Sequence, residues 1–316
     1  MIHTEHTTHP ARTPTRRTLL RGATAAMALL VVGCESDDDG TDIAATPVSE
    51  AAQATLLEQI APDRTADLSV INASFETLTG EDRLFAFGLV GPDNTPVRDQ
   101  EVTVYAGVRM NEALQGPLTT TFHDVPNQPL GMYSVRLDLP EAGTVPLIAV
   151  TADGGAGQTA LRVADPESSV VLATGEEAPA VATPTLDDPL GFESICTRQP
   201  PCDMHAASLD TALAEGRPVM LTIATPAFCE TAICGPTVDV VEDVRTGGEV
   251  PEGIEWIHLE VFSDAGTTLA DQVEAFQLQS EPWIFGIDGA GTVVGRLDGP
   301  LTVLPDEIAA LATATA

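Results

Sequence analysis

Residues 218–237 read "PVMLTIATPAFCETAICGPT", and the way this stretch folds decides the architecture around it. Its first seven residues are an apolar run bounded by Arg217 and by Thr225-Pro226, the length and flanks of a buried strand. Cys229 and Cys234 follow, five positions apart. On a continuous helix, residues i and i+5 lie about 140° apart around the axis, so the two thiols cannot share one face of a first turn. Gly235-Pro236 marks the helix start, because proline suits the first turn, where its missing N–H costs nothing. The stretch is therefore predicted as strand, cysteine loop and helix from about Pro236 to Arg245, with Cys229 in the loop. A thiol at such a junction sits beside unsatisfied N–H groups and the positive end of the helix dipole. Both favour thiolate, the nucleophile of disulfide exchange.

Outward from this stretch, strand and helix patterns alternate. A short helix is expected over residues 208–215, a strand at "IEWIHLEVF" (254–262) and a helix around 268–276. Two strands, "WIFGID" and "TVVGRLDG", follow around Gly289-Ala290-Gly291, and a last helix begins at Pro305. Alternation of this kind predicts an α/β layer, and the closing hairpin makes its sheet mixed.

This order resembles the thioredoxin fold over residues 208–316. Three features carry the resemblance: the buried strand running into Cys229, the "CGP" at Cys234-Gly235-Pro236, and "EPWIFGIDGAGTVVG". The last is similar to the segment of extracytoplasmic thioredoxin-like reductases in which a cis-proline faces the cysteines and precedes a β-hairpin; Pro282 holds that place. The resemblance implies thiol–disulfide exchange by Cys229 and Cys234, a groove shaped by Pro282, extracytoplasmic protein thiols and disulfides as partners, and no cofactor. The spacing departs from the family's Cys-x-x-Cys. Aligned on "CGP", Cys234 attacks and Thr237 takes the usual partner's place; aligned on the strand end, Cys229 attacks and Cys234 resolves, the preferred assignment. A non-catalytic thioredoxin-fold scaffold with structural disulfides is the main alternative.

Two further readings stand beside it. "TPAFCETAICG" also resembles the Cys-x4-Cys loop of bacterioferritin-comigratory-type peroxiredoxins, but Pro226 holds the place of their threonine, with Thr225 one step off, and Arg296 is the nearest substitute for their activating arginine. Cys196-x5-Cys202-x2-His205, with Met204, offers soft ligands that suit Cu(I), and Sco-type copper chaperones are thioredoxin-like with widened cysteine spacing. His258 lies in a strand, too early to match their distal histidine. Cys196 and Cys202 are expected to form a structural disulfide, with no metal.

The N-terminus reads as an address. "TRRTLLR" at residues 15–21 is a twin-arginine pattern, and "GATAAMALLVVG" is apolar but too short to span a bilayer. With Cys34 directly after Gly33, the whole resembles a lipoprotein signal, which implies lipidation at Cys34 and an anchor on the extracytoplasmic face of the cell membrane. Disulfides persist in that compartment.

The formal charge is −33, and every one of the 14 basic residues is arginine. Removal of residues 1–33 takes away four arginines and one glutamate, leaving −36. Such acidity excludes the basic footprint of nucleic-acid binding and any electrostatic hold on anionic lipid.

Between these ends, residues 34–66 read as an acidic tether with a short helix over 51–60. Residues 67–165 carry about seven short β runs with Gly, Pro and Asp-Asn punctuation, as expected of an all-β sandwich. "LGMYSVRLDLPEAGTVPLIAV" resembles the immunoglobulin-like sandwiches of exported bacterial proteins, with Tyr133 as a corner residue; His123 is expected to be structural. Residues 166–194, rich in Pro, Ala and acids, are expected to form a linker in which "SSVVLAT" adds a last strand. The α/β layer then occupies 195–316.

Overall fold

The computed structural model describes residues 56–108, 114–125, 129–229 and 233–316. The expected export signal, Cys34 and most of the tether lie outside these residues. Residues 56–60 are helical, and Leu57 and Ala61 pack on Ile148 and Ala156.

Eight strands build the first half: β1 (Thr65–Asn72), β2 (Gly80–Val90), β3 (Val102–Gly107), β4 (Leu114–Thr119), β5 (Thr121–His123), β6 (Met132–Leu139), β7 (Gly143–Thr151) and β8 (Gly155–Val163). They run in the order β4-β3-β7-β8-β1-β2-β6-β5. The row folds over at β1, whose first residues pair parallel with β8 and whose last pair antiparallel with β2, with a bulge between Ala66 and Leu68. A bulge bends its strand, so one strand serves both leaves. The leaves enclose an alternating apolar core in which Phe85, Phe87, Tyr133 and Val135 of one meet Val104, Leu147 and Leu161 of the other. This is a β-sandwich. Tyr133 stacks on Phe87, and its hydroxyl accepts a hydrogen bond from the Gln100 N–H at 3.2 Å. His123 bonds Ser134 Oγ at 2.8 Å, and burial lowers its pKa.

The run "LTTTFHDV" makes two strands rather than one. Thr120 turns its hydroxyl to the Val102 carbonyl, and β4 and β5 on either side pair with opposite leaves.

The second half is a four-stranded sheet, β10-β9-β11-β12, of β9 (Val219–Ile223), β10 (Glu255–Leu259), β11 (Trp283–Ile287) and β12 (Val293–Asp298). β10 is parallel to β9, while β11 is antiparallel to both β9 and β12. Among the described residues four α-helices accompany it: α1 (Leu209–Ala214), α2 (Cys234–Thr246), α3 (Asp271–Ala275) and α4 (Pro305–Thr315). All five residues of β9 and of β11 are buried, as strands covered on both faces should be. No helix among the described residues is long and apolar enough to cross a membrane.

Two expectations are corrected. Residues 166–194 are not a free linker, and "SSVVLAT" is not a strand. The segment is an extended strap whose backbone is satisfied one residue at a time: Gly175 N–H bonds the Val293 carbonyl, Ala178 N–H that of Gly291, and Leu186 N–H that of His205. It pairs with the end of the sheet through an isolated antiparallel bridge, Glu177 with Thr292, and Val171, Ala178 and Phe192 anchor it in the core. The two halves also share apolar contact. Ala86, Val125 and Met132 of the sandwich belong to one cluster with Leu301, Val303 and Leu304. At the same seam Arg296 bonds Glu76 at 2.6 Å and lies over the Trp283 ring.

Candidate functional site

The buried central strand β9 ends at Ile223, and Thr225–Phe228 make a turn closed by the Phe228 N–H to the Thr225 carbonyl. That turn delivers Cys229, half-buried, to the edge of the layer. α2 begins at Cys234, two residues before the proline, because Pro236 fits anywhere in a first turn whose N–H groups have no helical acceptor. Cys234 is fully buried, and its thiol donates to Cys229 Sγ at 2.6 Å. Thr237, three residues on in the same helix, turns its hydroxyl to that of Thr302 at 2.7 Å.

Glu281 completes this group, with a carboxylate oxygen within 4.8 Å of both sulfurs. It accepts the Thr225 N–H at 3.0 Å. Burial first, then the charge of Cys229, pushes Glu281 up to about 7. The hydrogen bond to Cys229, with burial, raises the Cys234 thiol well above its ordinary range. Pro282 follows through a cis peptide bond and precedes β11; its carbonyl accepts the Gly299 N–H at 2.9 Å. In front of Cys229 and Glu281 opens a cleft of about 490 Å³, walled by Phe228, Phe262, Leu269 and Leu278. Phe228 and Leu269 are among the few exposed large apolar side chains described.

The second cysteine pair lies on the other side of the same turn. Cys196 and Cys202 are buried, but their sulfurs stand 3.8 Å apart, beyond the roughly 2.05 Å of a disulfide. The expected bond between them is therefore not formed, and the sulfurs face imidazoles instead. Cys202 Sγ is 3.4 Å from His205 Nε2 and 3.4 Å from His258 Nδ1, and Cys196 Sγ is 3.7 Å from His258 Nδ1. The four ligand atoms all lie within 4.8 Å of one another. β10 brings His258 there, because the Met204 carbonyl accepts the His258 N–H at 2.9 Å and lays residue 205 along the sheet edge.

The hydrogen bond between Cys196 and Cys202, with His205 and His258 nearby, holds Cys196 well below the thiol range despite burial, and Cys202 is pushed up by the same bond and by burial. Burial opposes a charge on His258, but Cys196 and Glu260 outweigh it and raise its pKa.

Glu260, buried, ties the two pairs together. It accepts the Thr197 N–H at 2.6 Å and the Thr225 hydroxyl at 2.5 Å, while Thr197 Oγ1 accepts the Ala227 N–H. Sequence reasoning missed Glu260 and Glu281 as members of these sites and set His258 aside as lying too early in the chain. The available signal was polarity out of place: His258 and Glu260 alternate with Ile257, Leu259 and Val261 in an otherwise buried run.

No protein-family model matches the chain, and no curated protein matches it. Among solved structures, it is similar to the ZirS C-terminal domain at 11% identity, covering 46% of this chain and 87% of that one, with a TM-score of 0.20. A superoxide reductase (neelaredoxin) from Ignicoccus hospitalis gives 15% identity, 36% and 93% coverage and a TM-score of 0.19. The Dscam1 Ig7 domain gives 15% identity, 31% and 98% coverage and a TM-score of 0.17.

Proposed function

We propose that the chain is an exported thiol–disulfide oxidoreductase, anchored by lipid at Cys34 on the extracytoplasmic face of the membrane, that acts on protein disulfides through Cys229 and Cys234. One observation carries the reading: two sulfurs in contact, one reachable from an apolar cleft and the other buried at a helix N-terminus. The sheet order β10-β9-β11-β12, with its strand directions and the cysteine loop after the central strand, supports a thioredoxin-like layer. The folded-over sandwich with Tyr133 tied to Gln100 supports an immunoglobulin-like spacer.

Cys229 is the attacking thiol, because it is the less buried of the two and receives the hydrogen bond of Cys234. Its thiolate attacks one sulfur of a substrate disulfide; the S–S bond breaks, a mixed disulfide forms, and the departing thiolate takes a proton from solvent. Cys234 then yields its proton to Glu281 and attacks Cys229 Sγ. The Cys229–Cys234 disulfide forms, the substrate leaves with both sulfurs reduced, and two electrons have passed to it; oxidation of a substrate dithiol runs the same steps backwards. A peroxidase fits less well, since the Arg296 guanidinium is committed to Glu76 and the carbonyls of Val171 and Leu172.

A thiol titration of the full chain against glutathione potentials tests this, with Cys229→Ser as control. A pair that cycles near −200 mV with loss of exchange in the variant supports the proposal. A pair that stays oxidised below about −300 mV is a structural staple and refutes it.

A further inference from the structure

We propose that Cys196, Cys202, His205 and His258 bind one zinc ion in a closed tetrahedral site, separate from the exchange pair. With Zn–S near 2.3 Å and Zn–N near 2.05 Å, a tetrahedral site has edges of about 3.8 Å between sulfurs and about 3.6 Å between sulfur and nitrogen. The observed separations are 3.8 Å for Sγ–Sγ and 3.4, 3.4 and 3.7 Å for three of the sulfur–nitrogen pairs. A Cys2His2 set with tetrahedral edges of this size suits zinc.

The surroundings are built for ligands of this kind. His258 directs Nε2 to the Ala224 carbonyl at 3.0 Å, which fixes the tautomer with Nδ1 unprotonated toward the sulfurs, the usual way an outer partner orients a metal-bound imidazole. The Cys202 N–H points at Cys196 Sγ at 3.4 Å, a donor for a thiolate. His205 presents Nε2 to Cys202, while its buried Nδ1 has no partner, so hydrogen bonding within the protein does not account for the ring's placement.

All four side chains are buried, and two thiolates with two neutral imidazoles balance the charge of a dication, whereas unpaired charges in the same place would be costly. Binding releases the thiol protons to solvent. The other sulfur pair is unsuited to the role, since 2.6 Å is too short an edge for two thiolates on one ion.

The metal would clamp residues 196–205 to β10 where a disulfide was expected. Through Thr197 and Glu260 it would also steady the turn that carries Cys229.

The test uses the full chain, purified under reducing conditions, with zinc and cobalt(II) each as sole added metal. Expected are one zinc per chain and, for cobalt, a thiolate-to-metal charge-transfer band with the intense visible bands of a tetrahedral S2N2 site. Both disappear in Cys202→Ser and in His258→Ala and persist in the double variant Cys229→Ser/Cys234→Ser. Should the His258 variant fail to fold, the cobalt spectrum of the unaltered chain still decides. The proposal is overturned by a Cys196–Cys202 disulfide with no bound metal, by Cu(I) uptake without a cobalt signal, or by loss of zinc in the double variant instead.

Discussion

The two cysteine pairs of this protein are almost the same in sequence and opposite in surroundings. Cys196 and Cys202 are six residues apart, Cys229 and Cys234 five. The first pair is buried, stands 3.8 Å apart and has an imidazole on two sides; the second touches at 2.6 Å, has a carboxylate for a neighbour and shows one sulfur to a cleft. Spacing therefore does not decide what a cysteine pair does. The groups that the fold brings from elsewhere decide it: His258 from β10 for one pair, Glu281 from the start of β11 for the other.

Alkylation kinetics put the largest number on this contrast. In the native reduced chain Cys229 is expected to react with iodoacetamide about a hundredfold faster than Cys196, Cys202 or Cys234, which must wait for local opening. Peptide mapping over time reads the four rates separately. Equal labelling of Cys196 and Cys229 would break the comparison, and a chelator that speeds only Cys196 and Cys202 would sharpen it.

The loop position of Cys229 was legible because helix geometry forbids an i, i+5 pair on one face, and the sequence periodicity separated the all-β half from the alternating half. What it could not reveal was contact at a distance. His258 lies 56 residues from Cys202, and only the bond between Met204 and His258 across the sheet edge makes them neighbours. Glu281 was visible merely as the residue before Pro282. The strap over residues 166–194 misled for a different reason: isolated hydrogen bonds to an already folded surface leave no periodic trace.

Glu281 gives a second test, of intermediate size. If it takes the proton of Cys234, exchange should rise with pH through about 7, the value at which its carboxylate ionises. Glu281→Gln keeps an acceptor for the Thr225 N–H but cannot take a proton, so the resolving step should slow roughly a hundredfold at pH 8 and lose that inflection. Stopped-flow measurement of mixed-disulfide decay reads it directly. An unchanged profile would leave the carboxylate as a packing group and bring the two pairs closer in character.

The smallest effect is on stability, and its sign separates the acids of the exchange region and seam from ordinary surface carboxylates. Burial raises Glu281 from 4.5 to about 7 and, together with the charge of Glu76, Asp298 from 3.8 to about 6. Between those values the folded state holds protons that the unfolded chain has already released. Their contribution is therefore fully present below about pH 4, is lost as pH rises, and is gone above about pH 7. Thermal midpoints measured at high salt, which screens the −33 net charge, should fall by a few degrees from pH 4.5 to pH 7.5. Asp298→Asn and Glu281→Gln should each flatten part of that slope, the first between about pH 4 and 6 and the second between about pH 4.5 and 7. A midpoint that rises with pH over the same window would mean that both carboxylates are ionised in the folded protein. Glu281 would then already be charged at acidic pH and available to accept the Cys234 proton there, which would move the onset of exchange downward with it.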